Sequence, residues 1–163
     1  MSTLWKQQAR RLFSEISELS RDPDIGITRE SYGAGENAAI AHLSKFARDN
    51  GLQVHRDRAG NVIFQRAEDS GQPAIWIGSH LDSVPQGGNY DGLAGVVAGL
   101  LCLWRLDQQA VRTPRPIRVL GLRGEESAWF GKSYMGSRAL MGGLTNADLA
   151  LVNRFSKKTL GEA

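Results

Sequence analysis

Three apolar stretches decide the fold: AIWIG (Ala74–Gly78), GLAGVVAGLLCLWRL (Gly92–Leu106) and IRVLGL (Ile117–Leu122). The first has the length of a strand that is buried on both faces, and the third is typical of another interior strand. The second is long enough for a helix and is apolar nearly all round, so it needs cover on more than one side. Strand, helix and strand in this order predict a right-handed parallel crossover.

Two helices and a hairpin are predicted before this crossover. Apolar residues recur at helical spacing from Leu4 to Leu19, and a second helical pattern stops at Asn50-Gly51. Both helices are expected to pack on the sheet. Leu52–His55 and Val62–Gln65 predict an antiparallel pair of strands, since the Gly and Asn between them suit a hairpin loop. The pattern as a whole predicts the α/β class.

Composition limits the classes of protein that are compatible with the sequence. A chain of 163 residues with 41% hydrophobic and 23% charged residues is expected to form one folded domain, and not a disordered or coiled-coil chain. The net charge of +3 is scattered, so nucleic-acid binding is not favoured. No segment reaches the ~20 apolar residues of a membrane span, so no membrane partner is expected. The single cysteine, Cys102, fits a reducing cytoplasm and is predicted to lie in the core.

Five residues that could carry chemistry follow the two strands of the crossover: His80, Asp82, Asp91, Glu125 and Glu126. Sites in open α/β sheets lie beyond the carboxyl ends of the strands, so the crossover should return all five to one edge. Imidazole with carboxylates is the ligand set of zinc-type ions in hydrolytic sites. Asp82 could hold the His80 ring, and Asp91 could bridge two metals. Within the glutamate pair, one carboxylate could bind metal while the other takes a proton from water.

Each of these residues also has an ordinary structural interpretation. A histidine after a strand is often a satisfied structural residue, an aspartate before glycine is often a cap, and glutamate pairs are usually solvated. The location of all of them at one end of a crossover, within Gly-rich segments, favours a site. The residues by themselves leave both interpretations open.

Four segments of the chain resemble a known protein family. GSHLDSVPQGGNYDGLAGVVAGL (Gly78–Leu100) and RGEESAWFGKSYMGSRALMG (Arg123–Gly142) closely resemble the hydantoinase/carbamoylase family of metal-dependent amidases, and Gly26–Glu36 and Arg56–Phe64 resemble its N-terminal region. The family includes N-carbamoyl-L-amino-acid hydrolases, allantoate amidohydrolases and beta-ureidopropionases, within the aminoacylase and carboxypeptidase clan. The resemblance implies the N-terminal portion of a mixed, mostly parallel sheet flanked by helices, as in two-metal exopeptidase-like catalytic domains.

The resemblance also implies a role for each candidate residue. His80 would bind one metal, Asp91 would bridge two and Glu126 would bind the other, while Asp82 would orient His80 and Glu125 would be the general base. The cofactors would be two divalent metal ions, either zinc or manganese or cobalt. The substrates would be N-carbamoyl amino acids or ureido compounds such as allantoate, hydrolysed at a linear C–N bond.

The sequence departs from the family in length and in histidines. Family members carry two further metal-binding histidines downstream and an inserted lid domain with the interface of a homodimer, whereas the histidines here are His42, His55 and His80. Residues 1–163 are therefore expected to form a single, incomplete catalytic domain with three of five protein ligands, weak metal binding and little turnover. Two alternatives stay open: an aminopeptidase or deacylase of the same clan, or an inactive fragment that acts at most as a partner-binding subunit.

Overall fold

The computed structural model describes residues 2–69 and 71–163. Two helices come first, α1 (Ser2–Leu19) and α2 (Ala34–Asp49), followed by strands β1 (Gln53–Arg56) and β2 (Val62–Gln65). A short 3-10 helix at Ala67–Asp69 leads to the rest of the chain, which contains β3 (Ile75–His80), α3 (Leu93–Gln108), β4 (Ile117–Leu122), α4 (Ser127–Phe130), α5 (Met135–Leu140) and α6 (Asn146–Leu149).

The four strands form one mixed sheet in the order β1-β2-β4-β3. Strand β1 pairs antiparallel with β2, and β2 pairs antiparallel with β4. Strand β4 pairs parallel with β3, with His80 opposite Leu122 at the carboxyl end of the pair. The predicted hairpin, the parallel crossover through α3 and the α/β class with helices flanking a mixed sheet are confirmed. Of the three described strand pairings two are antiparallel and one is parallel, whereas a mostly parallel sheet was expected, because the hairpin joins β4 through an antiparallel pairing.

The burial of β3 differs from the sequence-based prediction. Ile75, Trp76 and Ile77 are 51%, 45% and 37% exposed, so AIWIG is not buried on both faces. The reason is its position, because β3 pairs only with β4 among the described strands and forms the edge of the sheet. An apolar run predicts that a strand is buried, but it does not show whether another strand or helix is present to cover it.

Helix α3 shows a second difference. Cys102 is exposed, and not part of the core as predicted. The helix buries eight residues against the sheet and the other helices but leaves a strip with Ala98, Cys102 and Arg105 uncovered. Because a helix turns once every 3.6 residues, its residues lie on several faces, and the face of α3 that carries Cys102 is the one that other elements do not cover.

The main core lies between the sheet and the helices. Helix α2 packs on β1 and β2, and α3 packs on β3 and β4. Contrary to expectation, α1 packs mainly on α2 and α3 and hardly on the sheet. The Trp104 ring contacts the rings of Trp5 and Phe46 edge-on, at centroid distances of 4.5 and 5.5 Å. Across the described ranges, no helix is long and apolar enough to cross a bilayer.

Candidate metal centre

The chain reversals after β3 and β4 bring three potential metal ligands together. His80 is the last residue of β3, Asp91 lies just before α3, and Glu126 is the N-cap residue of α4. Each of these residues has one ligand atom within 4.8 Å of those of the other two. The Nε2 atom of His80 lies 3.8 Å from the nearest carboxylate oxygens of both Asp91 and Glu125. The arrangement brings together residues that lie far apart in sequence.

Asp82 connects the two strand ends. Its side chain is fully buried, and its two carboxylate oxygens accept the backbone N–H groups of Glu125 and Glu126 at 3.1 and 3.0 Å. The hydroxyl group of Ser31 donates a further hydrogen bond to the same carboxylate. The Nδ1 atom of His80 lies 3.4 Å from this carboxylate and 3.0 Å from the Asp82 backbone carbonyl. Asp82 therefore holds both the imidazole and the backbone of the glutamate pair.

The contacts of Asp82 determine how His80 faces the site. An ionised carboxylate and a backbone carbonyl only accept hydrogen bonds, so Nδ1 of His80 must carry the proton and donate. In the neutral form of the ring, the form that binds metal ions, the unprotonated Nε2 faces Asp91 and Glu125. A metal-binding histidine is commonly held in this way by a partner at its other nitrogen.

The charges in the cluster shift three pKa values. Burial lowers the pKa of His80, but the hydrogen bond and charge of Asp82, together with Glu125, raise it to about 9. Burial raises the pKa of Asp82, whereas hydrogen bonds from His80, Ser31 and the backbone lower it, and the net shift is downward. Burial and the nearby carboxylates of Glu125 and Asp91 raise the pKa of Glu126. The carboxylates repel one another, and a bound cation would offset this repulsion.

The residues present fit a divalent metal ion of the zinc type. One imidazole nitrogen and two carboxylates converge, and the imidazole is oriented through its second nitrogen. The side chains of Asp91 and Glu125 remain 50% and 26% exposed, so the site is open to solvent and to a small molecule. Ordinary surface carboxylates lack such a buried supporting residue.

Gly92 allows the close approach of Asp91 to His80. Its φ of +62° lies in the left-handed region, and a Cβ atom at this position would lie 2.5 Å from Nδ1 of the His80 ring. Only glycine combines this backbone conformation with the absence of a side chain. The Asp91-Gly92 pair in the sequence is a turn signal that could have indicated this role, but it could not indicate the contact with His80.

A second buried network supports the glutamate loop. The Nε atom of Arg123 donates to Glu36 at 2.7 Å, and the Arg123 backbone N–H donates to the side chain of Asn61 at 2.9 Å. The indole N–H of Trp129 donates to the Ser83 carbonyl at 2.8 Å. The segment from Arg123 to Trp129 is thus held to α2, to the β1–β2 hairpin and to the loop after β3. Sequence patterns did not identify Ser31, Glu36 or Arg123, because no local pattern marks contacts between distant segments.

Comparison with known proteins identifies the family. Residues 76–158, just over half of the chain, match peptidase family M20/M25/M40. The chain belongs to this family. The match includes all of β3 except its first residue, the whole of α3 and β4, and all of the candidate metal ligands.

Curated relatives of this M20/M25/M40 family member include proteins named as amidohydrolases. An N-carbamoyl-L-amino acid amidohydrolase of Geobacillus stearothermophilus is 39% identical over 84% of the chain and 34% of the relative. A ureidoglycolate hydrolase of Oryza sativa is 33% identical over 82% of the chain and 28% of the relative. The chain therefore spans about a third of the length of these curated relatives.

Solved structures agree with the fold. A hydantoinase/carbamoylase family amidase from Burkholderia ambifaria superposes with a TM-score of 0.85 at 28% identity, covering 96% of this chain and 38% of that one. AtUAH, solved in complex with glyoxylate, gives a TM-score of 0.84 at 26% identity, with coverage of 96% and 38%. The resemblance to the hydantoinase/carbamoylase amidases is confirmed.

Proposed function

We propose that the chain carries part of the active site of a metal-dependent amidohydrolase. The substrates are N-carbamoyl amino acids or related ureido compounds such as allantoate, which are hydrolysed at a linear C–N bond. The observation that carries the proposal is the convergence of His80, Asp91 and Glu126 within 4.8 Å, with Glu125 beside them. The names of the relatives, N-carbamoyl-L-amino acid amidohydrolase and ureidoglycolate hydrolase, support the substrate class.

In this proposal, His80, Asp91 and Glu126 would hold two divalent metal ions. The ions, either zinc or manganese or cobalt, would supply Lewis acidity to the attacking water and to the substrate carbonyl. Asp82 keeps the proton of His80 on Nδ1, so that Nε2 remains a ligand. The same carboxylate anchors the backbone of Glu126.

Glu125 acts as the general base and then as the general acid. Its carboxylate reaches to 3.8 Å from Nε2 of His80 and remains accessible from solvent. It takes a proton from water as the water oxygen attacks the carbonyl carbon, and it returns this proton to the leaving nitrogen as the C–N bond breaks. An N-carbamoyl amino acid then yields the free amino acid and carbamic acid, which decomposes to ammonia and carbon dioxide.

Residues 1–163 alone are proposed to be an incomplete catalytic domain with weak metal binding and little turnover. Within the described part of the chain, three residues form the candidate metal group. Ions with only three protein ligands would bind less tightly than in a fully liganded site.

The family name favours one second candidate, a peptidase or deacylase that uses the same metal group on an amide substrate. An assay across N-carbamoyl amino acids, allantoate and dipeptides would separate the two, using the chain within a full-length protein. Turnover of the ureido compounds alone supports the amidohydrolase, whereas turnover of dipeptides alone supports the second candidate.

The experiment that tests the metal site is zinc binding by the chelator-treated chain, followed by elemental analysis and calorimetry. We expect the wild type to bind zinc and both His80→Ala and Asp91→Ala to lose that binding. His55→Ala is the matched control, because His55 is an exposed histidine on β1. Equal zinc binding by the wild type and both site variants would overturn the proposed site.

A further inference from the structure

Arg29 is a fully buried arginine in the segment between α1 and α2. Its Nε atom donates to the Leu81 carbonyl at 2.8 Å, and one terminal nitrogen donates to the Asp91 carbonyl at 3.2 Å. Two longer contacts, both 3.5 Å, reach the side chain and the carbonyl of Asn89. All of these acceptors belong to the residues that follow His80 or to the loop that ends at Asp91.

The partners of Arg29 are unusual for a buried charge. Arginine is almost never fully buried unless it is paired, and its usual partner is a carboxylate. Among the described residues, no carboxylate oxygen forms an ion pair with Arg29, and its hydrogen bonds go to backbone carbonyls and one amide oxygen. The negative charges of Asp82 and Asp91 act on it from a longer distance. The position therefore requires the shape of the guanidinium group, and not only its charge.

The backbone of Arg29 is tied to the same loop. Its N–H donates to the Ser83 hydroxyl at 3.0 Å, and its carbonyl accepts the Ser83 N–H at 2.9 Å. Two further backbone hydrogen bonds join Ile27 and Gly87. The segment that carries Arg29 is thus hydrogen-bonded along the loop from Leu81 to Asp91, and the Arg29 side chain reaches both ends of this loop.

We propose that Arg29 is a positioning residue of the metal centre, which fixes the distance between His80 and Asp91 by bridging the Leu81 and Asp91 carbonyls. The inference rests on the proposed metal site. A planar guanidinium group offers donors in fixed directions, so it can hold two carbonyls at a set separation. A lysine ammonium group keeps the charge but has no such fork, and it would leave one of the carbonyls without a donor.

Arg29→Lys is the decisive variant, because it changes the geometry and keeps the positive charge. The matched control is Arg66→Lys, since Arg66 is also buried and donates to a backbone carbonyl, that of Val111 at 2.9 Å. Arg66 contacts Asp107 in the last turn of α3 and Val111 beyond it, whereas Asp91 precedes α3, so the length of the helix separates the two sites. Two quantities are measured: zinc affinity by calorimetry, and hydrogen exchange of the metal-free chain.

We expect Arg29→Lys to weaken zinc binding roughly 10- to 100-fold, as loss of a supporting partner does in other metal sites. It should also speed amide exchange at residues 91–94 at least about tenfold, because the start of α3 loses its anchor. Arg66→Lys should leave zinc affinity and amide exchange at residues 91–94 unchanged, even if it lowers the melting temperature as much as Arg29→Lys does. Unchanged zinc affinity and exchange in Arg29→Lys would overturn the inference, and so would equal effects in both variants.

Two further readouts separate the possible failures. If the wild type binds no zinc, the proposed metal site fails, and exchange at residues 91–94 alone decides whether Arg29 anchors this segment. If Arg29→Lys does not fold, the ¹⁵N–¹H signal of the Arg29 Nε–H group is followed in the wild type during zinc titration. A shift of this signal with no shift for Arg66 supports the inference, and an unmoved Arg29 signal on zinc binding contradicts it.

Discussion

Asp82 is the residue on which the geometry of the candidate site most depends. It is fully buried, and its carboxylate serves the His80 ring, the Ser31 hydroxyl and two backbone N–H groups at once. Because these groups come from three separate segments, one side chain determines their relative positions. Replacing one of its acceptor oxygens by an amide nitrogen leaves at least one donor facing another donor.

Asp82→Asn is therefore expected to lower zinc affinity roughly 10- to 100-fold, the usual cost of losing a partner behind a metal ligand. Isothermal titration of the chelator-treated chain measures this. The matched control is Asp148→Asn, because Asp148 is likewise buried and accepts a backbone N–H, but from Thr145 at the start of α6. Asp148→Asn should lower stability and leave zinc affinity unchanged. Equal zinc affinities of Asp82→Asn and wild type would contradict this role of Asp82.

Glu36 is a second buried carboxyl group, and it makes stability depend on pH. Burial raises its pKa to about 7, although Arg123 acts in the opposite direction. The folded state therefore holds this proton more tightly than the unfolded chain does. Its contribution to stability is fully present below the ordinary pKa of 4.5 and is lost as the pH rises through about 7.

Glu36→Gln removes this titration and keeps the shape of the side chain. The free energy of unfolding of the variant, relative to wild type, should increase between pH 5 and pH 8 by up to roughly 3 kcal/mol. Urea unfolding across this pH range measures the change. Glu68→Gln is the control, because it removes a carboxylate that is 47% exposed. If the difference in free energy of unfolding between Glu36→Gln and wild type is the same at all pH values, protonation of Glu36 does not contribute to the pH dependence of stability.

The crossover of β3, α3 and β4 depends on close packing between the helix and the sheet. Gly99 is a buried residue of α3, and a Cβ atom there would lie 2.9 Å from a methyl group of Val119 on β4. Valine is branched at Cβ and cannot move this methyl group aside easily. The missing side chain at Gly99 therefore lets the helix approach the parallel strands closely.

Gly99→Ala should destabilise the chain by about 1–3 kcal/mol, because overpacking outweighs the gain of up to ~1 kcal/mol in helix propensity. Thermal unfolding monitored by circular dichroism measures the change. The control is Gly88→Ala in the loop before α3, where an added Cβ meets no atom within 4 Å. A higher melting temperature for Gly99→Ala would show that helix propensity prevails and that α3 is free to shift.

The molecule as a whole has a large and a small hydrophobic cluster. The large one joins the sheet with α1, α2 and α3, and the small one consists of Trp129, Phe130, Met135 and Leu160. Polar contacts join the two regions, including the hydrogen bond from Asn61 to the Gly136 carbonyl at 2.9 Å. Four buried apolar side chains and three short helices stabilise less than a full sheet layer does.

The region of the small cluster should therefore open before the sheet does. Leu160→Ala is expected to speed amide exchange in residues 145–163 and to leave β4 protected, as measured by hydrogen exchange with mass spectrometry. The matched variant is Leu103→Ala, because Leu103 belongs to the large cluster and is 1% exposed. It should speed exchange in both regions. If Leu160→Ala loses protection in β4 and in residues 145–163 at the same time, the sheet and the region of the small cluster unfold as one cooperative unit.

The sequence by itself determined the elements and their order. The spacing of apolar residues predicted α3, the hairpin of β1 and β2 and the parallel pairing of β3 with β4, because these depend on local periodicity and chain direction. It also predicted which residues would meet, since His80 and the glutamate pair follow strands whose carboxyl ends lie side by side. The roles of these residues in metal binding and catalysis stay predictions.

Only the tertiary structure decided burial and long-range support. The exposure of Trp76 and Cys102 follows from which neighbours cover β3 and α3, and an apolar sequence carries no record of that coverage. The contacts of Arg29 and Ser31 with the residues after β3 span more than 50 positions of the chain. Such contacts produce no periodic pattern in the sequence. The partners of a buried polar side chain come from distant segments, and only the tertiary fold brings them together.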